Sequence, residues 1–133
     1  MKKIMVVILV LGIIGIGSYF LFSGDEGFDI TVKNQTNIEI SGLYLTYHKI
    51  STDIEIPSIS SHKEFKFNVT PTPTEDFGEN TMELYYKDHK GQIHTEYVFG
   101  YFEKGYYGKA TITLKSVDEN GKIQIEVDEK LFD

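Results

Sequence analysis

The chain has 133 residues with no Cys, Trp or Arg, which excludes a disulfide scaffold, a thiolate metal site and a cysteine nucleophile. Charge is unevenly placed: the first 24 residues hold only Lys2 and Lys3, and the other 109 hold eleven lysines against twenty acids, a formal −9. An acidic chain without Arg lacks the basic face that releases counterions from phosphate, so nucleic acid is not an expected partner.

The chain opens with Lys2 and Lys3 and an uncharged apolar run from Ile4 to Phe22. As a helix its 19 residues span about 28 Å, close to the ~30 Å hydrocarbon core. A cleaved signal peptide has a shorter apolar region and turns polar after a small-x-small site. Here Tyr19-Phe20-Leu21-Phe22 follow Ser18, so the run reads as a retained anchor with aromatic residues at its far interface. Lysines before the run and Asp25 and Glu26 after it place the N-terminus in the cytoplasm and residues 25–133 outside. The predicted division is residues 1–24 as cytoplasmic stub and anchor, and 25–133 as an extracytoplasmic domain.

From Phe28 the apolar residues alternate with period two, the signature of half-buried strands. Phe28, Ile30 and Val32 share one parity, as do Ile38 and Ile40. The parity slips at Ser41-Gly42, as at a bulge, before Leu43, Leu45 and Tyr47. Ile54 and Ile56 form a short run stopped by Pro57, which suits an edge strand. Further strands are expected around Phe65, Phe67 and Val69; Met82, Leu84 and Tyr86; Ile93, Tyr97 and Phe99; Ala110, Ile112 and Leu114; and Ile123, Ile125 and Val127. About eight strands at this spacing predict an all-β domain, an antiparallel, immunoglobulin-like β-sandwich, with a small barrel as competitor. The immunoglobulin Cys pair and core Trp are missing. Asp88-His89-Lys90-Gly91 and Asp118-Glu119-Asn120-Gly121 share the form D-x-x-G and predict hairpins built on a type I turn with a glycine bulge. The stretch from Thr70 to Asn80 is the longest expected loop.

Catalytic signatures are missing. Serines occur in no G-x-S-x-G or S-x-x-K pattern. His48, His62, His89 and His94 have no metal-ligand spacing, and strand parity sends His48 and His94 to solvent. Asp118, Glu119, Asn120, Glu126 and Asp128 lack the order of a calcium loop and read as a solvated acidic face. No metal or other cofactor is expected. Asn34-Gln35-Thr36 and Asn68-Val69-Thr70 match the N-glycosylation pattern, a frequent coincidence.

The most distinctive segment is Tyr97-Val98-Phe99-Gly100-Tyr101-Phe102-Glu103-Lys104-Gly105-Tyr106-Tyr107-Gly108, in which half the residues are aromatic. Parity assigns Tyr97, Phe99 and Tyr101 to the core. Phe102, Tyr106 and Tyr107 are left over and are the candidate binding residues, since exposed aromatics anchor partners or stack on sugars.

The layout of Met-Lys-Lys, one apolar run and a short acidic Cys-free β domain resembles the small uncharacterised membrane-anchored cell-envelope proteins of Gram-positive bacteria. The expectation is a single-pass membrane protein that displays a non-enzymatic interaction module for a protein or peptide partner. Glycan or cell-wall polymer binding through the aromatic segment is the alternative, and a small hydrolase or metal-dependent enzyme a remote one. A strongly negative surface favours basic partners.

Overall fold

A computed structural model describes residues 27–71 and 78–133, and the expected anchor, its boundary at residue 24 and most of the Thr70–Asn80 loop lie outside them. Among the described residues there is no helix, and none long and apolar enough to cross a membrane. The strands are β1 (Phe28–Asn34), β2 (Leu43–Tyr47), β3 (Ile54–Ile56), β4 (Glu64–Val69), β5 (Asn80–Lys87), β6 (Ile93–Phe102), β7 (Tyr107–Val117) and β8 (Ile123–Phe132). They form two four-stranded sheets, ordered β4-β1-β7-β8 and β3-β2-β5-β6.

The alternating pattern drives this arrangement. In β1, β2, β5 and β7 every second side chain is buried along most of the strand. Each sheet therefore has one apolar face, and the two faces cover one another in a β-sandwich. Phe28 of β1 meets Phe99 of β6 with ring centroids 4.8 Å apart, so a single core spans both sheets. β3 and β4, the short or half-covered strands, lie at sheet edges, where missing pairing costs least. The short β3 ends before Pro57, in keeping with the edge strand expected there.

Four expectations need correction. The pairing is not antiparallel throughout: β1 runs parallel to β7, from Phe28 beside Gly108 to Asn34 beside Leu114. Ile38 is exposed and belongs to no strand, while Ile40 makes an isolated bridge with Ile59. The Asn34 amide explains this, because it binds the carbonyls of Ile38 (2.8 Å) and Ile59 (2.9 Å) and holds the segment as a turn. The parity slip before β2 is a left-handed Gly42 (φ +75°) between segments rather than a bulge within a strand.

The fourth correction concerns β6. Opposite β5, Phe102 faces Asn80, Phe99 faces Met82 and Tyr97 faces Glu83, so β6 takes in one extra residue in each interval. The first irregularity, between Tyr97 and Phe99, shifts the inward side from even-numbered positions to Phe99, and the second, between Phe99 and Phe102, shifts it back, so the odd-numbered alternation expected along the strand fails. Val98, Phe99 and Phe102 turn inward, while Tyr97, Tyr101 and Ile93 are exposed.

Strand directions define two ends of the sandwich. At the β1 end, β1 and β7 begin and β8 and β4 finish. At the opposite, hairpin end lie the two D-x-x-G turns. Both have the expected geometry: Gly91 (φ +80°) and Gly121 (φ +81°) are left-handed. Asp88 Oδ1 accepts from the N–H groups of Lys90 and Gln92, and Asp118 Oδ1 from those of Asn120 and Lys122. The turns also touch, since the His89 N–H donates to the Asn120 carbonyl at 2.8 Å.

Candidate binding surface

The outer faces of the two sheets differ in chemistry. On β4-β1-β7-β8 the outward positions are mostly Thr, Lys and acids, with Glu64 bridged to Lys66 (3.3 Å) and Glu126 to Lys115 (2.9 Å). That composition keeps a sheet face solvated.

The outer face of β3-β2-β5-β6 carries tyrosines instead. Tyr44 lies opposite Tyr85 in the β2–β5 pair, and directly opposed residues project on the same face. Their rings stack at 5.4 Å with an interplanar angle of 16°. Asp53, in the loop before β3, accepts hydrogen bonds from the Tyr85 hydroxyl (2.5 Å) and from Thr46 Oγ1 (2.6 Å). The Thr46 bond, then the Tyr85 bond, holds the Asp53 carboxyl below the usual carboxylate range. The same carboxylate pushes the Tyr85 phenol up to about 12, so it stays neutral and fixed as a donor. One strand further, opposite Glu83, Tyr97 is 64% exposed. Glu55 lies opposite Tyr44. The face thus combines a braced tyrosine pair, a third tyrosine and three carboxylates, with Lys87 at its hairpin-end margin.

The candidate binding residues of the aromatic segment fall elsewhere and do not converge. Phe102 is 0% exposed, edge-on to Phe28 at 4.9 Å and to Tyr47 at 6.3 Å. It is a core residue and cannot meet a ligand, because the β6 irregularities turn it inward. Tyr106 and Tyr107 are partly exposed at the β1 end. Tyr106 lies edge-on to Tyr101 (6.2 Å) and donates to Glu103 Oε2 at 3.3 Å. Tyr107 stacks on Phe132 at 5.2 Å, with Lys130 Nζ 5.7 Å from the Phe132 centroid. The next residue, Gly108, has no room for a side chain: a Cβ there would strike the Lys130 carbonyl oxygen.

The histidines are dispersed over the surface. His94 Nε2 lies 2.9 Å from Asp88 Oδ2, and this contact is the main cause of a lowered Asp88 pKa. Its ring stacks on Tyr86 at 5.2 Å, so it faces the core margin and not open solvent as parity implied. The cause is again the β6 shift, since His94 pairs with inward Tyr86. His62 lies 3.3 Å from Asn37 Oδ1, and His48 is exposed. Among the described residues no group of three or more His, Asp or Glu side chains could hold a metal.

A shallow recess of about 320 Å³ at the hairpin end is lined by Lys33, Asn34, Gln35, His62, Lys63 and Glu64. Its charges are mixed. Asn34 is buried and its amide is fully engaged, also accepting from the Thr36 N–H and hydroxyl. That engagement leaves no room for a glycan on the Asn34-Gln35-Thr36 pattern.

Sequence reasoning misses Tyr44 and Tyr85 because they occupy the polar parity of their strands. The available signal is an aromatic at an outward position in two strands that pair. Tyr97 is hidden by the register change in β6.

No protein-family model matches the chain, and no curated protein matches it. A search of solved structures finds the NMR structure of a protein from Eubacterium rectale, 20% identical over 79% of this chain and 91% of that one, with a TM-score of 0.47. A likeness of that degree carries no functional argument.

Proposed function

We propose that the chain is a membrane-anchored, non-enzymatic interaction module of the cell envelope, single-pass, with the sandwich displayed outside the cytoplasmic membrane. We class the sandwich as immunoglobulin-like, because its first strand pairs with a fourth strand that returns from the opposite sheet. The apolar run Ile4–Phe22 after Lys2 and Lys3 supports the anchor and its orientation.

The observation that carries the binding role is the tyrosine face. A stacked pair held in place by Asp53, beside a largely exposed Tyr97, presents rigid aromatic area at low entropic cost on a surface that solvation alone does not call for. Asp53, Glu55 and Glu83 add negative charge around it, which fits a protein or peptide segment bearing Lys or Arg: cations pair with the carboxylates and lie over the rings. The flat stacked pair also suits the face of a sugar ring, which keeps glycan binding as the second reading.

The test is site-specific photocrosslinking of the full-length protein in cells. A crosslinker at Tyr97 is expected to trap a protein through a basic segment, while one at Thr111 on the other sheet traps none. Replacing Asp53, Glu55 and Glu83 by their amides is expected to abolish the adduct. An adduct equally strong from both positions defeats the assignment. Cosedimentation with cell-wall polymer that Tyr44→Ala abolishes moves the reading to glycan.

A further inference from the structure

We infer that the aromatic residues at the β1 end, namely Tyr101, Tyr106, Tyr107 and Phe132, rest in the headgroup layer of the membrane that holds the anchor, so that the sandwich stands end-on upon its own bilayer. The inference rests on the anchor reading given above.

Chain length imposes the proximity. The apolar run closes at Phe22 and β1 opens at Phe28. Six residue steps, even fully extended, reach only about 20 Å. Headgroups occupy ~5–8 Å of that on each side of the hydrocarbon. The first described residue, Gly27, accepts a hydrogen bond from the Gly108 N–H at 3.1 Å, which places Tyr107 beside the point where the chain arrives.

The chemistry at this end suits an interface. Tyr107 and Phe132 stack, and Tyr106 and Tyr101 meet edge-on, giving two partly exposed aromatic pairs. Tyrosines with an apolar body and a polar tip concentrate at the membrane–water boundary. Partial loss of water beside Tyr106 and the neighbouring Glu103 carboxylate push the Tyr101 phenol up to about 12, so it enters the interface uncharged. Lys130, beside the Phe132 ring, and Lys104 and Lys109 can reach phosphate along their aliphatic stems. Glu79 and Glu103 lie at the same end, so ring insertion rather than net charge makes the contact.

The hairpin end supplies the contrast. The segments that build it, residues 35–42, 57–63, 88–92 and 118–122, contain no Phe or Tyr. End-on contact also gives the tyrosine face of β3-β2-β5-β6 a fixed aspect, directed sideways along the membrane towards a neighbouring protein.

The chain has no Trp, so one introduced Trp is a clean reporter. Full-length Tyr107→Trp and Ile38→Trp variants are reconstituted in mixed phosphatidylcholine and phosphatidylglycerol vesicles containing brominated lipid. Trp at position 107 is expected to be quenched several-fold more than Trp at 38 and to emit at shorter wavelength. Equal, weak quenching in protein that resists alkaline carbonate extraction overturns the end-on contact and leaves the anchor standing. Release of the protein by carbonate sinks the anchor reading, and the contact with it. If the Tyr107→Trp variant loses its cooperative thermal transition, Phe132→Trp serves as the reporter at the same end of the sandwich: strong quenching there supports the contact, and quenching no greater than at position 38 overturns it.

Discussion

One hydroxyl bridges the two sheets: Tyr86 Oη on β5 accepts from the Ile123 N–H at 2.8 Å and donates to the Ile123 carbonyl at 3.3 Å on β8. Burial pushes this phenol up from its ordinary value. Tyr86→Phe keeps the ring but leaves a buried N–H and C=O without partners, an expected loss of about 1–3 kcal/mol in urea or thermal unfolding. The folded-state pKa lies above the unfolded one, so the stabilisation is present at neutral pH and is lost as pH rises through the folded value. The variant is therefore expected to show less alkaline destabilisation above pH ~10 than the native chain.

The twin turns separate two costs of adding a methyl group. Gly91 and Gly121 share a left-handed backbone, but a Cβ at Gly91 meets open space, whereas one at Gly121 would lie 2.6 Å from the His89 ring. Gly91→Ala is expected to lose about 1 kcal/mol, the conformational cost alone. Gly121→Ala should lose clearly more, and His89→Ala in the same chain should recover the difference. Equal losses at the two positions contradict this account.

Asn34 is the buried brace of the β1–β2 connection, with its amide donating to two carbonyls and its oxygen accepting from Thr36 twice. Asn34→Ala strands several of these partners at once and is expected to cost about 2–4 kcal/mol. Asn34→Asp should be nearly as damaging, because a carboxylate cannot donate to Ile38 and Ile59. A stable Asp variant refutes the donor role.

Acid sensitivity should arise at the hairpin end. Asp88 is held below its ordinary pKa, first by His94 and then by the turn N–H groups. Its stabilisation is present above the unfolded value of ~3.9 and is lost as pH falls through the lower folded value. Unfolding followed between pH 5 and 2 should be less steep in Asp88→Asn, and hydrogen exchange should first quicken at Lys90 and Gln92.

Much of the fold is readable in the sequence because period two is a local property. Phe28, Ile30 and Val32, or Ala110, Ile112 and Leu114, announce a buried face without reference to any partner strand. The D-x-x-G turns are readable for the same reason, since Asp88 and Asp118 cap their own backbones. What escapes the sequence depends on partners. The parallel neighbour of β1 is set by how the sheets close, and the inward turn of Phe102 by its pairing with Asn80. The tyrosine surface is concealed because Tyr44 and Tyr85 are distant in sequence, and only register makes them neighbours.

The parallel pairing of β1 with β7 carries a consequence for biogenesis. Phe28 cannot acquire its neighbour Gly108 until nearly the whole domain has been synthesised, so β1 waits with β4 as its sole earlier companion. Contacts of such long sequence separation close slowly. A chain stalled before Tyr107 keeps an open sheet edge and an uncovered core, which makes it a substrate for chaperones and proteases rather than a smaller working domain.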